Sequence, residues 1–196
     1  VPSSVTVVKD SAERYFASFV VETEPEALPE TGSVVGIDLG LGHFAVLSDG
    51  TKIDSPPRFL RRAEKKLKRE QRNLSRKQKG SRNRDKARLQ LARAHAKAAD
   101  ARRDFHHRLS TRLFRENQAV AVETLAVKGL ARTRLAASVH EAGWSAFVAM
   151  LEYKAAKFGR TFLRIGRFEP TSQVCSVATA AGLAVSAWAP ARGRTK

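Results

Sequence analysis

The sequence predicts an α/β fold: a mixed sheet carrying a long, basic helical hairpin and preceded by a β-hairpin. Three observations carry that reading. Two short apolar runs, residues 32–40 (GSVVGIDLG) and 119–123 (AVAVE), have the length and β-branched content of buried strands. A strongly amphipathic stretch from about Ser138 to Phe158 is followed by TFLRI at 161–165, and a strand, helix, strand crossover implies a parallel pair. Between residues 58 and 118, β-branched residues and glycine almost vanish while Arg, Lys, Leu and Ala take over, which is the composition of long helices.

In chain order, residues 5–8 (VTVV) and 15–22 (YFASFVVE) read as a β-hairpin around Lys9–Arg14. Residues 23–31 carry Pro25, Pro29 and several acids, a linker composition that sets a boundary near residue 32. The strand at 32–40 ends in a glycine turn, and His43–Leu47 returns into the Asp49-Gly50 turn. Leu60, Leu67 and Leu74 recur at seven-residue spacing in a first helix. Ala87, Leu91, Ala94, Ala98, Ala101 and Phe105 alternate spacings of four and three in a second. Lys79–Asn83 makes the turn between them. After AVAVE, the helix ending at Phe158 places Trp144, Phe147, Val148, Leu151, Ala155 and Phe158 on one face, with Gly159 as its C-cap.

Thirty-six Lys and Arg against 19 Asp and Glu leave a formal charge of +17 on 196 residues, which points to polyanionic partners. That charge is concentrated. Eleven basic residues lie between Arg58 and Lys79 and eleven between Arg82 and Arg115, against six acids, so this segment holds +16 of it. No apolar run approaches the ~20 residues of a membrane span and no signal-peptide pattern opens the chain, which predicts a soluble protein of the cytoplasm, associated with the nucleoid of a prokaryotic cell. One cysteine, Cys175, excludes an internal disulfide framework.

Two residues are candidates for chemistry. Asp38 sits at the end of one apolar strand and Glu123 at the end of another, positions where alternation calls for a hydrophobe. Carboxylates that converge from two strand ends can bind Mg²⁺ or Mn²⁺ for in-line attack on a phosphodiester, although a two-metal centre ordinarily uses three or more acids. The candidates for phosphate contact are Arg61, Arg62, Lys65, Lys66, Arg69, Arg72, Arg76, Lys77, Arg82, Arg84 and Arg88. Sparse aromatics in that segment favour contacts to the backbone and shape of a nucleic acid over base stacking. His106 and His107 read as helix-surface or phosphate-contacting residues.

The segments VVGIDLGLGHFAVLSDG, AVAVETLAVKGL and FEPTSQVCS, in this order and spacing, resemble TnpB (OrfB) proteins, transposon-encoded RNA-guided nucleases related to the type V CRISPR effectors. The resemblance covers nearly all of residues 1–176. It implies a RuvC/RNase H-like sheet with Asp38 and Glu123 as catalytic metal ligands, the basic helices as its insertion, and a guide-like RNA and DNA as partners. It divides the chain into the end of a wedge-like β region and linker at 1–31, a partial RuvC-like domain at 32–170 with its insertion at about 58–118, and a tail at 171–196.

Departures from the family pattern matter as much. The family's segment at Pro170–Cys175 opens a four-cysteine zinc ribbon, and a third catalytic Asp follows it. Here no Cys or His follows Cys175 and no acid follows Glu169, so the tail reads as a degenerate ribbon, or another reading frame, unable to hold zinc. The expectation is a partial protein that binds nucleic acid and cleaves weakly or not at all. One alternative is an active Mg²⁺-dependent endonuclease whose third carboxylate comes from another chain or from Asp49, Asp54 or Glu169. A phosphate-loop ATPase would need a second glycine-rich loop, which is lacking, and a plain RNA-binding structural protein would leave the paired strand-end carboxylates unexplained.

Overall fold

The computed structural model describes residues 2–24, 27–40, 42–54, 58–123 and 143–166, without the side chains of 58–61 and 64. They fall into two compact units.

In the first unit, β1 (Ser4–Lys9) and β2 (Tyr15–Val20) pair antiparallel from Ser4↔Val20 to Lys9↔Tyr15. Asp10 organises the turn. Its Oδ1 accepts from the amides of Ala12 (2.8 Å) and Arg14 (2.9 Å), and its Oδ2 accepts from Arg14 Nε at 2.7 Å. The Arg14 backbone bond leads the interactions that hold the Asp10 pKa down.

Helices α1 (Arg58–Ser75) and α2 (Arg82–Glu116) complete this unit, α2 contributing its residues through Phe105 and supplying the rest to the second. Gly80 takes a left-handed φ of 80° in the turn, and Ser81 caps α2 by accepting from the Arg84 amide at 3.2 Å. Ala87, Leu91 and Ala94 are buried, as their spacing predicts, whereas Leu67 and Leu74 are only half-buried. The tip of the hairpin docks on α2: Ala12 is buried, Arg14 Nη1 donates to Asp100, and Arg93 faces Glu13 at 3.9 Å. Nothing in the sequence pairs residues this far apart.

The second unit is built on a five-stranded mixed sheet, ordered β5-β4-β3-β6-β7. Here β3 is Val34–Leu39, β4 Ala45–Leu47, β5 Lys52–Ile53, β6 Ala119–Glu123 and β7 Thr161–Ile165. Strands β3, β4 and β5 run antiparallel in sequence; β6 is parallel to β3 and β7 to β6. The parallel pair expected across the crossover is therefore present. β5 was not foreseen, since two residues are too few to show a period.

Helix α3 (Trp144–Phe158) makes that crossover, and the predicted helix start at 138–142 lies outside the described residues. Trp144, Phe147, Leu151, Ala155 and Phe158 are buried as foreseen, and Gly159 ends the helix at φ 63°. Val148 is only half-buried, and the stripe includes a buried lysine, Lys154. Phe147 packs edge-on to Phe44 with centroids 5.1 Å apart, and His106 lies against both rings at 5.4 and 5.6 Å. His106, 2% exposed, is thus a core residue and not a surface or phosphate-contacting one. Its position on α2 continues the inward face of Leu109, Leu113 and Phe114, where helix periodicity outweighs residue type.

Two cationic side chains tie this core together. Lys154 Nζ donates to the His107 carbonyl (2.7 Å), Ser110 Oγ (2.8 Å) and Thr111 Oγ1 (2.7 Å), and its pKa is lowered first by burial and then by Lys157. Arg160 donates to the carbonyls of Phe114 (3.1 Å) and Pro29 (2.6 Å) and to Gln118 Oε1. No helix among the described residues is long and apolar enough to cross a membrane.

Candidate functional site

The parallel register of β3 with β6 runs from Val34↔Ala119 to Ile37↔Val122. One step further places Asp38 beside Glu123, on strands separated by about 4.8 Å. The two carboxylates therefore leave the sheet from the same edge of the same two central strands. Side chains alternate, so this face is opposite to that of Ile37 and Val122, which are 0% and 2% exposed. Val122 is in register with Arg164, and Arg164 Nη2 bonds Glu152 Oε2 of α3 at 2.7 Å. That bond ties β7 to α3.

Asp38 reaches solvent, yet the protein around its carboxylate desolvates it enough to raise its pKa. A cation would reverse that cost. The neighbouring strand is held tightly: Gly36 N donates to Ser48 Oγ at 3.1 Å and Ser48 N to the Gly36 carbonyl at 2.9 Å. The other acids raised as third ligands have separate employment. Asp49 Oδ1 accepts from Thr51 N at 2.8 Å in the predicted Asp-Gly turn, and Asp54 Oδ1 lies 2.9 Å from His43 Nδ1. Glu169 and Cys175 lie outside the described residues. The donors present are carboxylate oxygens, which suit a hard divalent cation. Among the described residues no group of three His, Cys, Asp or Glu forms a metal cluster.

The basic helices arrange their charge by periodicity. At 100° per residue, Arg62, Lys65, Lys66, Arg69 and Arg72 of α1 fall within an arc of about 120°, roughly opposite Leu67 and Leu74, and Arg76 follows one residue past the helix end. All six are exposed, as are Arg82 and Arg88, while Lys77 is half-buried and the Arg61 side chain lies outside the description. Arg84 is different. Its Nη1 donates to the carbonyls of Leu74 (3.2 Å) and Lys77 (3.0 Å), so it closes the end of α1 and fixes the turn. Residue type alone grouped it with the phosphate-contacting candidates.

Comparison with known proteins bears on this geometry. Residues 18–134, which include both carboxylates and both basic helices, match the family OrfB_IS605, described as "Probable transposase". The chain belongs to that family. Residues 144–192 of this OrfB_IS605 member also match "Cas12f1-like, TNB domain". Among curated relatives, a "Putative RNA-guided DNA endonuclease" of Streptomyces pristinaespiralis is 45% identical over 175 residues, 89% of this chain and 43% of the relative. The "Putative RNA-guided DNA endonuclease InsQ" of Escherichia coli (strain K12) is 31% identical over 186 residues, 86% of this chain and 46% of the relative. The chain thus spans less than half the length of these two relatives.

Proposed function

We propose that this chain is a RuvC-like, nucleic-acid-binding portion of an RNA-guided DNA endonuclease, engaging both a guide-like RNA and DNA. The observation that carries the reading is the register placing Asp38 beside Glu123 at the ends of the two central parallel strands. The names of the relatives and the +16 carried by residues 58–118 support it.

Asp38 and Glu123 would hold Mg²⁺ or Mn²⁺ between them. When bound, such an ion supplies Lewis-acid stabilisation of the charge that develops on phosphodiester oxygens. The sheet keeps the two carboxylates adjacent without cost at the moment of binding, because both strands are locked by their neighbours. The partial desolvation of Asp38 strengthens its attraction for a cation. The exposed arc on α1 would track phosphates through Arg and Lys contacts that carry affinity and register rather than sequence.

Tested by itself, the 196-residue chain binds RNA and DNA but cleaves weakly or not at all, since among the described residues two carboxylates meet where a two-metal centre ordinarily uses three or more. The test is recovery of RNA protected by the chain in its native host, followed by DNA cleavage assays with Mg²⁺ or Mn²⁺. One dominant structured RNA and negligible cleavage are expected. A heterogeneous pool released by moderate salt overturns the guide role. Robust cleavage abolished in both Asp38→Ala and Glu123→Ala overturns the claim of weak activity and establishes a third ligand from elsewhere.

A further inference from the structure

The candidate interface on α1 does not exhaust the organised charge. Within the sheet-bearing unit, the last three turns of α2 form an open cleft of about 550 Å³ lined by His107, Arg108, Thr111, Arg112, Arg115 and Glu116. Arg108, Arg112 and Arg115 lie at i, i+4 and i+7, one helical face, with axial offsets of about 6 and 10.5 Å. The lining holds a single acid, Glu116, which lies 3.9 Å from Arg112 at one end.

Beneath the same surface lies a further charge. Lys154 is 5% exposed, and its ammonium bonds the His107 carbonyl and Thr111 Oγ1, parts of two lining residues, together with Ser110 Oγ. All three partners are neutral oxygens. A buried ammonium held by neutral groups projects its charge outward through a medium of low polarisability, so it adds to the potential that the three arginines create. Burying a cation there is costly, and its lowered pKa has burial as its first cause. An anion seated in the cleft offsets that cost.

We propose that this cleft is a second phosphate-binding site, which takes the phosphodiester backbone of a nucleic-acid strand. Successive phosphates suit a row of guanidiniums, each able to bond two phosphate oxygens at once. Lys154 also ties the cleft to the core of the sheet-bearing unit. It joins α3 to α2 through the His107 carbonyl, Ser110 Oγ and Thr111 Oγ1. The cleft's lining residues all belong to α2, whereas Asp38 and Glu123 stand on β3 and β6, so the cleft is a site of its own. The inference deepens the nucleic-acid reading and rests on it.

The experiment is fluorescence anisotropy on the full chain with labelled single-stranded RNA and duplex DNA, each titrated across salt, comparing two triple variants. One is Arg108→Ala/Arg112→Ala/Arg115→Ala in the cleft; the other is Lys65→Ala/Lys66→Ala/Arg69→Ala on α1. The cleft variant is expected to bind at least one probe about tenfold or more weakly, with a log–log salt slope shallower by about two to three, as loss of three phosphate contacts requires. The probe that responds identifies the strand. Arginine modification of the wild-type chain, read by mass spectrometry with and without probe, needs no variant to fold and is expected to show protection of Arg108, Arg112 and Arg115. Unchanged affinity and slope in a folded cleft variant, or absence of protection, overturns the second site while the α1 variant still reports on the first. Failure of the wild-type chain to bind either probe overturns both.

Discussion

Replacing Arg160 by Ala tests whether buried cations, more than apolar area, lock the strands that carry the carboxylates. The guanidinium is 8% exposed and donates to three oxygens drawn from three segments: the Pro29 carbonyl before β3, the Phe114 carbonyl near the end of α2, and Gln118 Oε1 just ahead of β6. Gln118 Oε1 also accepts from the Thr31 amide at 3.2 Å, so removal of the arginine loosens a second contact. Each acceptor left buried without a donor costs about 1–3 kcal/mol, and partial entry of water returns some of that. A loss of about 3–5 kcal/mol follows for Arg160→Ala, a large share of the ~5–15 kcal/mol that holds a typical domain. Arg160→Lys should lose about half as much, because an ammonium lacks the planar fork that reaches all three acceptors. The assay is urea denaturation followed by circular dichroism, with the slope compared between variants to exclude a change in the unfolded state. A loss below about 1 kcal/mol for Arg160→Ala would refute the reasoning, since three charge-assisted bonds cannot be that weak in a buried site.

Two further outcomes are expected. Asp38→Asn should melt at a higher temperature than the wild type in metal-free buffer at neutral pH: burial raises the folded pKa above the 3.8 of the free side chain, so stability is lost as pH rises through the folded pKa. The advantage should vanish below pH 3.8, where both folded and unfolded chains carry the proton, and a melting series across pH in the presence of a chelator checks it. Arg84→Ala should destabilise the first unit by about 1–3 kcal/mol through the two carbonyls it leaves at the end of α1, whereas Arg88→Ala, at a highly exposed site paired with Asp85 at 3.9 Å, should change stability by less than about 0.5 kcal/mol; paired denaturation curves distinguish them.

What the sequence determined by itself was set by short-range periodicity. AVAVE and TFLRI appear as strands at the residues their composition marks, the amphipathic stretch buries Trp144, Phe147, Leu151, Ala155 and Phe158, and the glycine at 159 ends its helix, because burial of an apolar face and left-handed backbone geometry are decided within a turn or two of chain. The pairing of Asp38 with Glu123 was only half legible: each carboxylate was conspicuous at a strand end, but their adjacency required β3 and β6 to associate across 85 positions of chain, in the register that buries Ile37 and Val122. The roles of the polar residues were decided by tertiary structure alone. Arg84, His106, Lys154 and Arg160 carry side chains that composition assigns to the surface, yet Arg84 is bound by carbonyls at the end of the preceding helix and turn, and the other three by carbonyls, hydroxyls or rings of distant segments. The cleft of Arg108, Arg112 and Arg115 was present in the sequence as spacing, but only the packing of α3 brought Lys154 beneath it. A residue's chemistry is written in the chain, whereas the solvent it loses and the partners it gains are set by which elements meet, and those long-range contacts decide what its charge can do.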